Sequence, residues 1–405
     1  HMNPTKEFDI IVWGASGFTG RLVAAYLFKQ YGTQGDLKWA MAGRNQEKLI
    51  AVRAEVADSS VPIVLADSDD EASLKAMILR TKVVCTTVGP YVTYGSKLVA
   101  ACIAHGAHYC DLAGEVQWMR QMIDKHHEEA QANGVKIVHT CGFDSIPSDM
   151  GVYFTQKEAL AQKGQRAKRI RMRVAGMRGG LSGGTYASLS KVLEEAMQDK
   201  EIYKVLVNPY GLNPTDKQEG GDHPDLQKVI FDPTSKSWIG PFIMAGINTK
   251  VVRRSNALSG YAYGNDFRYD EATMSGKGFK GRMKGIMSAL PLILMTAKPG
   301  SILKRIANRM FPKPGEGPTK DQRENGFYSL RFYATLEDGS TALGKVTGDK
   351  DPGYGSTSKM LGEAAVCLAK DSLPEISGIL TPSTAMGDAL LDRLEKHAGL
   401  TFSFK

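Results

Sequence analysis

Apolar residues recur along this chain with two different textures, and the change comes near residue 166. Over the first 150 residues, short runs of strand length alternate with stretches of helical period. The runs follow Phe8 up to Gly14, Leu37 to Ala42, Val61 to Ala66, Lys82 to Thr87, Ala107 to Asp111, and Val135 to Thr140. Helical patterns fall between them, through Leu22, Val23, Tyr26 and Leu27, from Asp69-Asp70-Glu71 to Leu79, over Gly95 to His105, and over Val116 to Ala132. Strands and helices in strict alternation predict an α/β fold, a parallel doubly wound sheet.

Beyond Arg166 the period shifts. Lys168 to Ala175 alternates basic residues with Ile170, Met172 and Val174, as a strand with one solvated face does. Gly179-Gly180-Leu181-Ser182-Gly183-Gly184-Thr185 opens a helix reaching Met197; its small and hydroxyl groups suit either a cap or a hold on a substrate carbonyl or carboxylate. Residues 203 to 280 read as irregular, apart from a helical piece near Lys250 to Ala257. Lys313 to Pro318 reads as a loop. Asp338-Gly339 between Gly326 to Glu337 and Ser340 to Thr347 is a hairpin signal, which with the strand at 168 to 175 predicts part of a second, mixed sheet. Helices are expected at Gly355 to Ala369 and Thr384 to His397, packed back on the first domain.

A chain of 405 residues is long enough for two domains with cores of their own. His1 and Met2 read as a cloning remnant, and the polar start is not that of a secretory signal. Cys85, Cys102, Cys110, Cys141 and Cys367 are scattered and contain no CxxC, so neither a disulfide framework nor a metal site is expected, and a reducing cytoplasm is. The formal net charge of +8 would suit phosphorylated ligands, anionic lipid or nucleic acid. Without a nucleic-acid motif or a basic aromatic platform, nucleic acid is the least expected of these.

The chemistry concentrates at the C-terminal ends of the first strands, where doubly wound sheets hold ligands. Gly14, Gly17 and Gly20 form a GxxGxxG turn between strand and helix, and Gly14, Ser16, Gly17, Phe18, Thr19 and Gly20 are the expected contacts to a pyrophosphate. Glycine lets main chain approach the phosphates, and the helix N-terminus attracts their charge. At the second strand end, where an acidic residue would bind a ribose 2′-hydroxyl, stands Arg44, with Lys48 a turn later; a guanidinium there favours the 2′-phosphate of NADP(H). Asp67 ends the third strand and either touches the adenine side or caps the next helix. Gly89, Pro90 and Tyr91 follow the fourth strand on the expected nicotinamide side. Tyr91, Tyr94, Asp144 and Ser145 are the candidate proton donors or polarising groups, each with a bland alternative as ring cover or helix cap. Glu115 is a further, orienting candidate.

Ile286 to Ala297 is almost purely apolar and is flanked by Lys277, Lys280, Arg282 and Lys284 before it and by Lys298, Lys304, Arg305 and Arg309 after it. Too short to cross a bilayer, it suits a buried core helix, a lid over an apolar substrate, or a membrane-surface element.

Gly14 to Gly20, Ala42-Gly43-Arg44, Val88-Gly89-Pro90-Tyr91, Asp111-Leu112-Ala113-Gly114-Glu115, Gly142 to Asp149 and the tail Thr381 to Leu390 together resemble the saccharopine dehydrogenase-like superfamily. They look most like its branch of trans-acting enoyl reductases and saccharopine dehydrogenase-like oxidoreductases. The resemblance runs nearly end to end. It implies a Rossmann domain over 3–150, an inserted α+β substrate domain over 151–354, and C-terminal helices over 355–405 returning to the first. The activity it implies is NADPH-dependent reduction of a carbon-carbon double bond in a small-molecule or carrier-bound acyl or polyketide substrate. Two alternatives stay open: a saccharopine-type dehydrogenase acting on a secondary amine, and an NADPH-binding lipid-surface protein with little catalysis. A cytoplasmic location, with peripheral membrane contact through 286–297 as one option, and a homodimer are compatible with the chain.

Overall fold

The computed structural model describes residues 5–179, 183–311, 313 and 317–405, without the side chains of residues 183, 184 and 186. Gly180, Leu181 and Ser182 of the glycine-rich helix start, Pro314, Gly315 and Glu316 of the expected loop, and the terminal His1 and Met2 lie outside the described residues. The chain divides into two compact units, the first taking in His1–Phe143, Gly315–Gly317 and Tyr354–Ala398, the second Asp144–Pro314, Pro318–Gly353 and Gly399–Lys405.

The first unit opens with β1 (Phe8–Trp13), α1 (Phe18–Tyr31), β2 (Trp39–Gly43), α2 (Gln46–Val56), β3 (Ile63–Leu65) and α3 (Glu71–Ile78). It continues through β4 (Thr81–Thr86), α4 (Tyr91–Tyr94), α5 (Ser96–His105), β5 (His108–Cys110), α6 (Val116–Ala132) and β6 (Lys136–Val138). These strands pair in parallel, and the sheet order, with a later strand β13 at one edge, is β13-β6-β5-β4-β1-β2-β3. Central strand β1 is buried over its whole length, as expected where helices cover both faces of a parallel sheet. Its one acid, Asp9, accepts from the Lys38 amide at 2.8 Å and meets Lys82 at 3.1 Å and Lys370 at 3.2 Å.

The second unit carries α7 (Ile146–Lys163), β7 (Ala167–Arg178), α8 (Gly183–Gln198), α9 (Lys200–Val207), β8 (Ile230–Asp232), β9 (Ser237–Gly240), α10 (Ala245–Leu258) and β10 (Arg268–Gly276). After them come α11 (Gly278–Met295), α12 (Ile302–Met310), α13 (Lys320–Glu324), β11 (Phe327–Leu336) and β12 (Thr341–Gly348). The chain then returns α14 (Thr357–Lys370), β13 (Gly378–Leu380) and α15 (Pro382–His397) to the first unit, and ends in β14 (Leu400–Phe404). The second sheet runs β14-β12-β11-β7-β10-β9-β8 and is mixed, because β7 and β10 pair in parallel while the other neighbours are antiparallel. The hairpin turns at Asp338-Gly339, with Thr335 opposite Thr341.

On α14 a single buried carboxylate gathers three helices. Glu363 accepts the hydroxyls of Tyr26 at 2.6 Å and Tyr31 at 2.7 Å, both from α1, and meets Arg393 of α15 at 3.1 Å. Arg393 in turn forks onto Asp371.

Three expectations are corrected. The stretch 203 to 280 is not irregular: it supplies α9, β8, β9, all of α10 and the long strand β10. Its charged residues are absorbed into the interior, Glu271 and Arg253 among them, so that alternation of apolar and polar types does not show where the chain is buried. The last residues do not all go to the first unit, because β14 pairs with β12 in the second sheet. Finally, the segment 286 to 297 is no buried core helix. It is the second half of α11, which approaches its sheet through Gly281 and Gly285 and leaves Ile286, Met287, Leu290 and Ile293 exposed. A Cβ at Gly281 would stand 2.1 Å from the Gly276 carbonyl oxygen, so glycine is what permits this approach. Among the described residues no helix is long and apolar enough to cross a membrane.

Candidate functional site

The glycine turn has a different reason for each of its glycines. Gly14 has φ +79°, and a Cβ there would come 2.2 Å from Val88 Cγ2, so the turn after β1 packs directly on the loop after β4. At Gly20 a Cβ would stand 2.1 Å from the Gly14 carbonyl oxygen, which fixes how closely the first turn of α1 lies on the strand end. Gly17 is the N-cap of α1, in an extended conformation open to any residue, and a Cβ there would meet only the Gly14 oxygen at 3.4 Å. Protein packing therefore does not require glycine at 17; open space beside a helix N-terminus that has no side-chain cap and no acid in its first turn does suit a pyrophosphate. The residues fit the expected dinucleotide.

Arg44 lies at the end of β2, exposed, with no ionic or hydrogen-bonding partner for its guanidinium among the described residues. Lys48 follows on α2, whose N-cap is Asn45. Asp67 holds the turn that leads into α3 by accepting from the Asp69 amide at 2.9 Å, while Asp70 is the N-cap.

Around the ends of β4, β5 and β6 the polar groups interlock. Glu115, buried, accepts from the Tyr91 amide at 2.7 Å and the Val92 amide at 3.1 Å, anchoring the start of α4 and with it Gly89 and Pro90. The Tyr91 hydroxyl donates to the Thr86 carbonyl at 3.3 Å and accepts from the Leu112 amide at 3.1 Å, and its ring stacks on Trp118 at 5.5 Å. Burial, with Asp111 nearby, pushes the Tyr91 phenol well above its ordinary range. This geometry makes Tyr91 a wall and a strut. Tyr94 is exposed, and its hydroxyl has no partner among the described residues. Asp144 is half-buried; Ser145 is the fully buried N-cap of α7, yet its hydroxyl caps nothing and has no hydrogen-bond partner among the described residues.

One group was not among the candidate site residues read from the sequence. Asp111, at the end of β5, accepts the Tyr109 hydroxyl at 2.7 Å and the Ala113 amide at 2.9 Å, and pairs with His139 Nδ1 at 2.8 Å. A carboxylate only accepts, so His139 donates from Nδ1, which leaves Nε2 as the ring nitrogen not bonded to Asp111. That Nε2 is buried and has no hydrogen-bond partner among the described residues, a state costly enough to call for one. The signal was a lone histidine directly after a strand of the parallel sheet, beside an aspartate in the same place on the neighbouring strand.

The second unit has its own buried polar cluster and an apolar cavity. On β10 the Glu271 carboxyl receives Asn248 at 2.9 Å and the Tyr269 hydroxyl at 2.5 Å; burial outweighs these bonds and pushes it up to about 7. Lys250, donating to the Gly246 carbonyl at 3.0 Å, is pushed down by burial to about 8. A cavity of about 260 Å³ opens between the inner face of α11 and the ends of β9 and β10. Phe242, Ile243, Ala289, Leu292, Met177 and Phe311 give it apolar walls, with the hydroxyls of Thr273, Ser275 and Ser288 among them.

Residues 10–138, which contain the glycine turn, Arg44 and the loop after β4, match the saccharopine dehydrogenase NADP-binding domain. A Mycobacterium tuberculosis protein provisionally named a trans-acting enoyl reductase is 42% identical over 412 residues, covering 96% of each chain. A trans-acting enoyl reductase of Mycobacterium ulcerans is 37% identical, again over 96% of each. The chain belongs to the saccharopine dehydrogenase-like family, in its trans-acting enoyl reductase branch. It is an oxidoreductase that uses a nicotinamide cofactor. Saccharopine dehydrogenase (L-Glu forming) from Saccharomyces cerevisiae shares the fold, with a TM-score of 0.55 at 13% identity over 98% of this chain and 99% of that one.

Replacing Gly17 by Val is expected to weaken cofactor binding by roughly a hundredfold or more, while stability in urea changes by no more than about 1 kcal/mol. Calorimetric titration and denaturation of the same sample check both halves. Glu271 carries a pH signature: its folded pKa, about 7, lies above its ordinary 4.5, so its contribution to stability is complete below pH 4.5 and is lost as pH rises through 7. That gap corresponds to roughly 3 kcal/mol. Urea midpoints of Glu271→Gln should therefore fall less than those of the wild type between pH 4.5 and pH 8, and parallel curves would show that the group is ionised throughout.

Proposed function

We propose that this protein is an NADPH-dependent enoyl reductase acting on an acyl or polyketide chain, presented free or on a carrier, in the cytoplasm. The observation that carries the substrate class is the apolar cavity against α11, whose walls offer hydrocarbon and a few hydroxyls but no charge. The relatives named trans-acting enoyl reductases support the same reading. When bound, the nicotinamide supplies a hydride to the β carbon of the double bond. The chain's own residues hold and orient: main-chain amides of the 14–20 turn face the pyrophosphate, Arg44 with Lys48 takes the 2′-phosphate, and Glu115 fixes α4 so that Gly89, Pro90 and Tyr91 line the ring side.

The saccharopine-type alternative needs cations free to hold an amino diacid. Arg173 is paired with Asp232 at 2.9 Å and also with Asp270, and Arg253 with Asp222 at 2.7 Å, so these buried arginines of the second unit are already committed. The free thiols of all five cysteines are buried, which supports the reducing compartment.

Arg44→Ala should raise the KM for NADPH roughly ten- to a hundredfold and leave that for NADH within about twofold. Equal losses would remove the 2′-phosphate contact. Narrowing the cavity by Ala289→Phe should raise the KM for long 2-enoyl thioesters by roughly tenfold and spare short ones. Uniform kinetics along the chain-length series would separate the cavity from the substrate, and turnover of saccharopine without enoyl reduction would replace the proposed reaction by the alternative.

A further inference from the structure

Helix α11 is amphipathic in the wrong sense for a helix in water. Gly281 and Gly285 rest on the sheet, while Phe279, Met283, Ile286, Met287, Leu290 and Ile293 are exposed, from 40% at Met283 to 76% at Phe279. Their spacing, three or four residues at nearly every step, stacks them on one face. The adjoining α12 repeats the feature with Ile302, Leu303, Ile306 and Met310 exposed and Lys304 and Ala307 turned inward. Contiguous exposed apolar surface of this kind marks a contact with something else.

The charge around it has one sign. Between Glu271 and Glu316 the sequence contains no Asp or Glu, and it contains nine Lys and Arg residues, Lys277, Lys280, Arg282, Lys284, Lys298, Lys304, Arg305, Arg309 and Lys313. Lys280, Lys284, Arg305 and Arg309 have no acidic partner among the described residues. We propose that α11 and α12 form a docking surface for an anionic lipid bilayer, lying in its plane with the apolar row among the acyl chains and the basic residues at the headgroups. A second copy of the chain would bring the same positive charge against itself. An acidic protein would satisfy the cations but not a row this long, whose methionine, isoleucine, leucine and phenylalanine side chains can sink into a fluid phase. Among the described residues no helix is long and apolar enough to cross a bilayer, so the proposed contact is peripheral and reversible. The inference is independent of the substrate: the cavity lies on the inner face of α11, the docking row on the outer.

Sedimentation of the full chain, loaded with NADPH, with vesicles of phosphatidylcholine alone or mixed with phosphatidylglycerol tests this. The protein is expected to pellet with the anionic vesicles, stay in solution with the neutral ones, and be released in part by high salt. Met287→Asp with Ile293→Asp should lower partitioning by roughly tenfold or more, and so should glutamine at Lys280, Lys284, Arg305 and Arg309, with cofactor binding and the circular dichroism spectrum unchanged in both. Failure to pellet with anionic vesicles overturns the proposal. So does binding that survives both sets of substitutions. Absence of vesicle binding together with a concentration-dependent dimer, or a complex with an acidic protein, that the aspartate pair abolishes would assign the face to protein instead.

Discussion

A carbonyl oxygen at Gly14 and a missing Cβ at Gly20 set the geometry on which the first unit depends. Their contact lays the first turn of α1 directly over the end of β1, and the second close approach, Gly14 against Val88, ties that turn to the loop after β4. With the strand end, the helix N-terminus and the β4 loop fixed together, the start of α1 stands beside the turn with no side-chain cap of its own. Side chains then only tune what is already built: Glu115 steadies α4, Arg44 adds charge at the neighbouring strand end, and Asp111 orients His139.

Most of the first unit could be read from the sequence because its strands are apolar on both faces and its turns are marked by glycine. The order of elements through β6 follows from that alone, and the turn at 14 to 20 announced itself by spacing. What could not be read was whatever depended on partners distant in the chain. Strand β13 has three residues and earns its place only by pairing with β6. Strand β10 carries Arg268, Asp270 and Glu271, and looks like a loop until Arg173, Tyr269 and Asn248 are seen to meet those charges. The site shows the same division. Tyrosines, a serine and an aspartate were natural proton donors by type, yet Tyr91 proves to be occupied on both sides of its hydroxyl, and the unsatisfied histidine nitrogen two strands away carried no motif.

Buried polarity is handled differently in the two units. In the first, Glu363 of α14 collects two phenols from α1 and a guanidinium from α15, so that one carboxylate ties three helices together. In the second, α10 turns lysine, arginines and asparagines into the interior, and burial shifts Glu271 and Lys250 towards their neutral forms. The first arrangement joins helices; the second combines groups shifted towards neutrality with buried arginines that are paired to aspartates.

The way the chain is threaded has a consequence for its birth on the ribosome. Neither unit is a continuous stretch: the first is left at residue 143 and completed only by α14, β13 and α15, and the second waits for β14 at the very end. While the middle of the chain is being made, the outer edge of β6 has no neighbour and the Glu363 cluster does not exist, so the nascent nucleotide-binding half must remain an open-edged intermediate. Neither sheet can reach its full strand order until the segments that follow residue 354 have been made, since β13 completes the first and β14 the second.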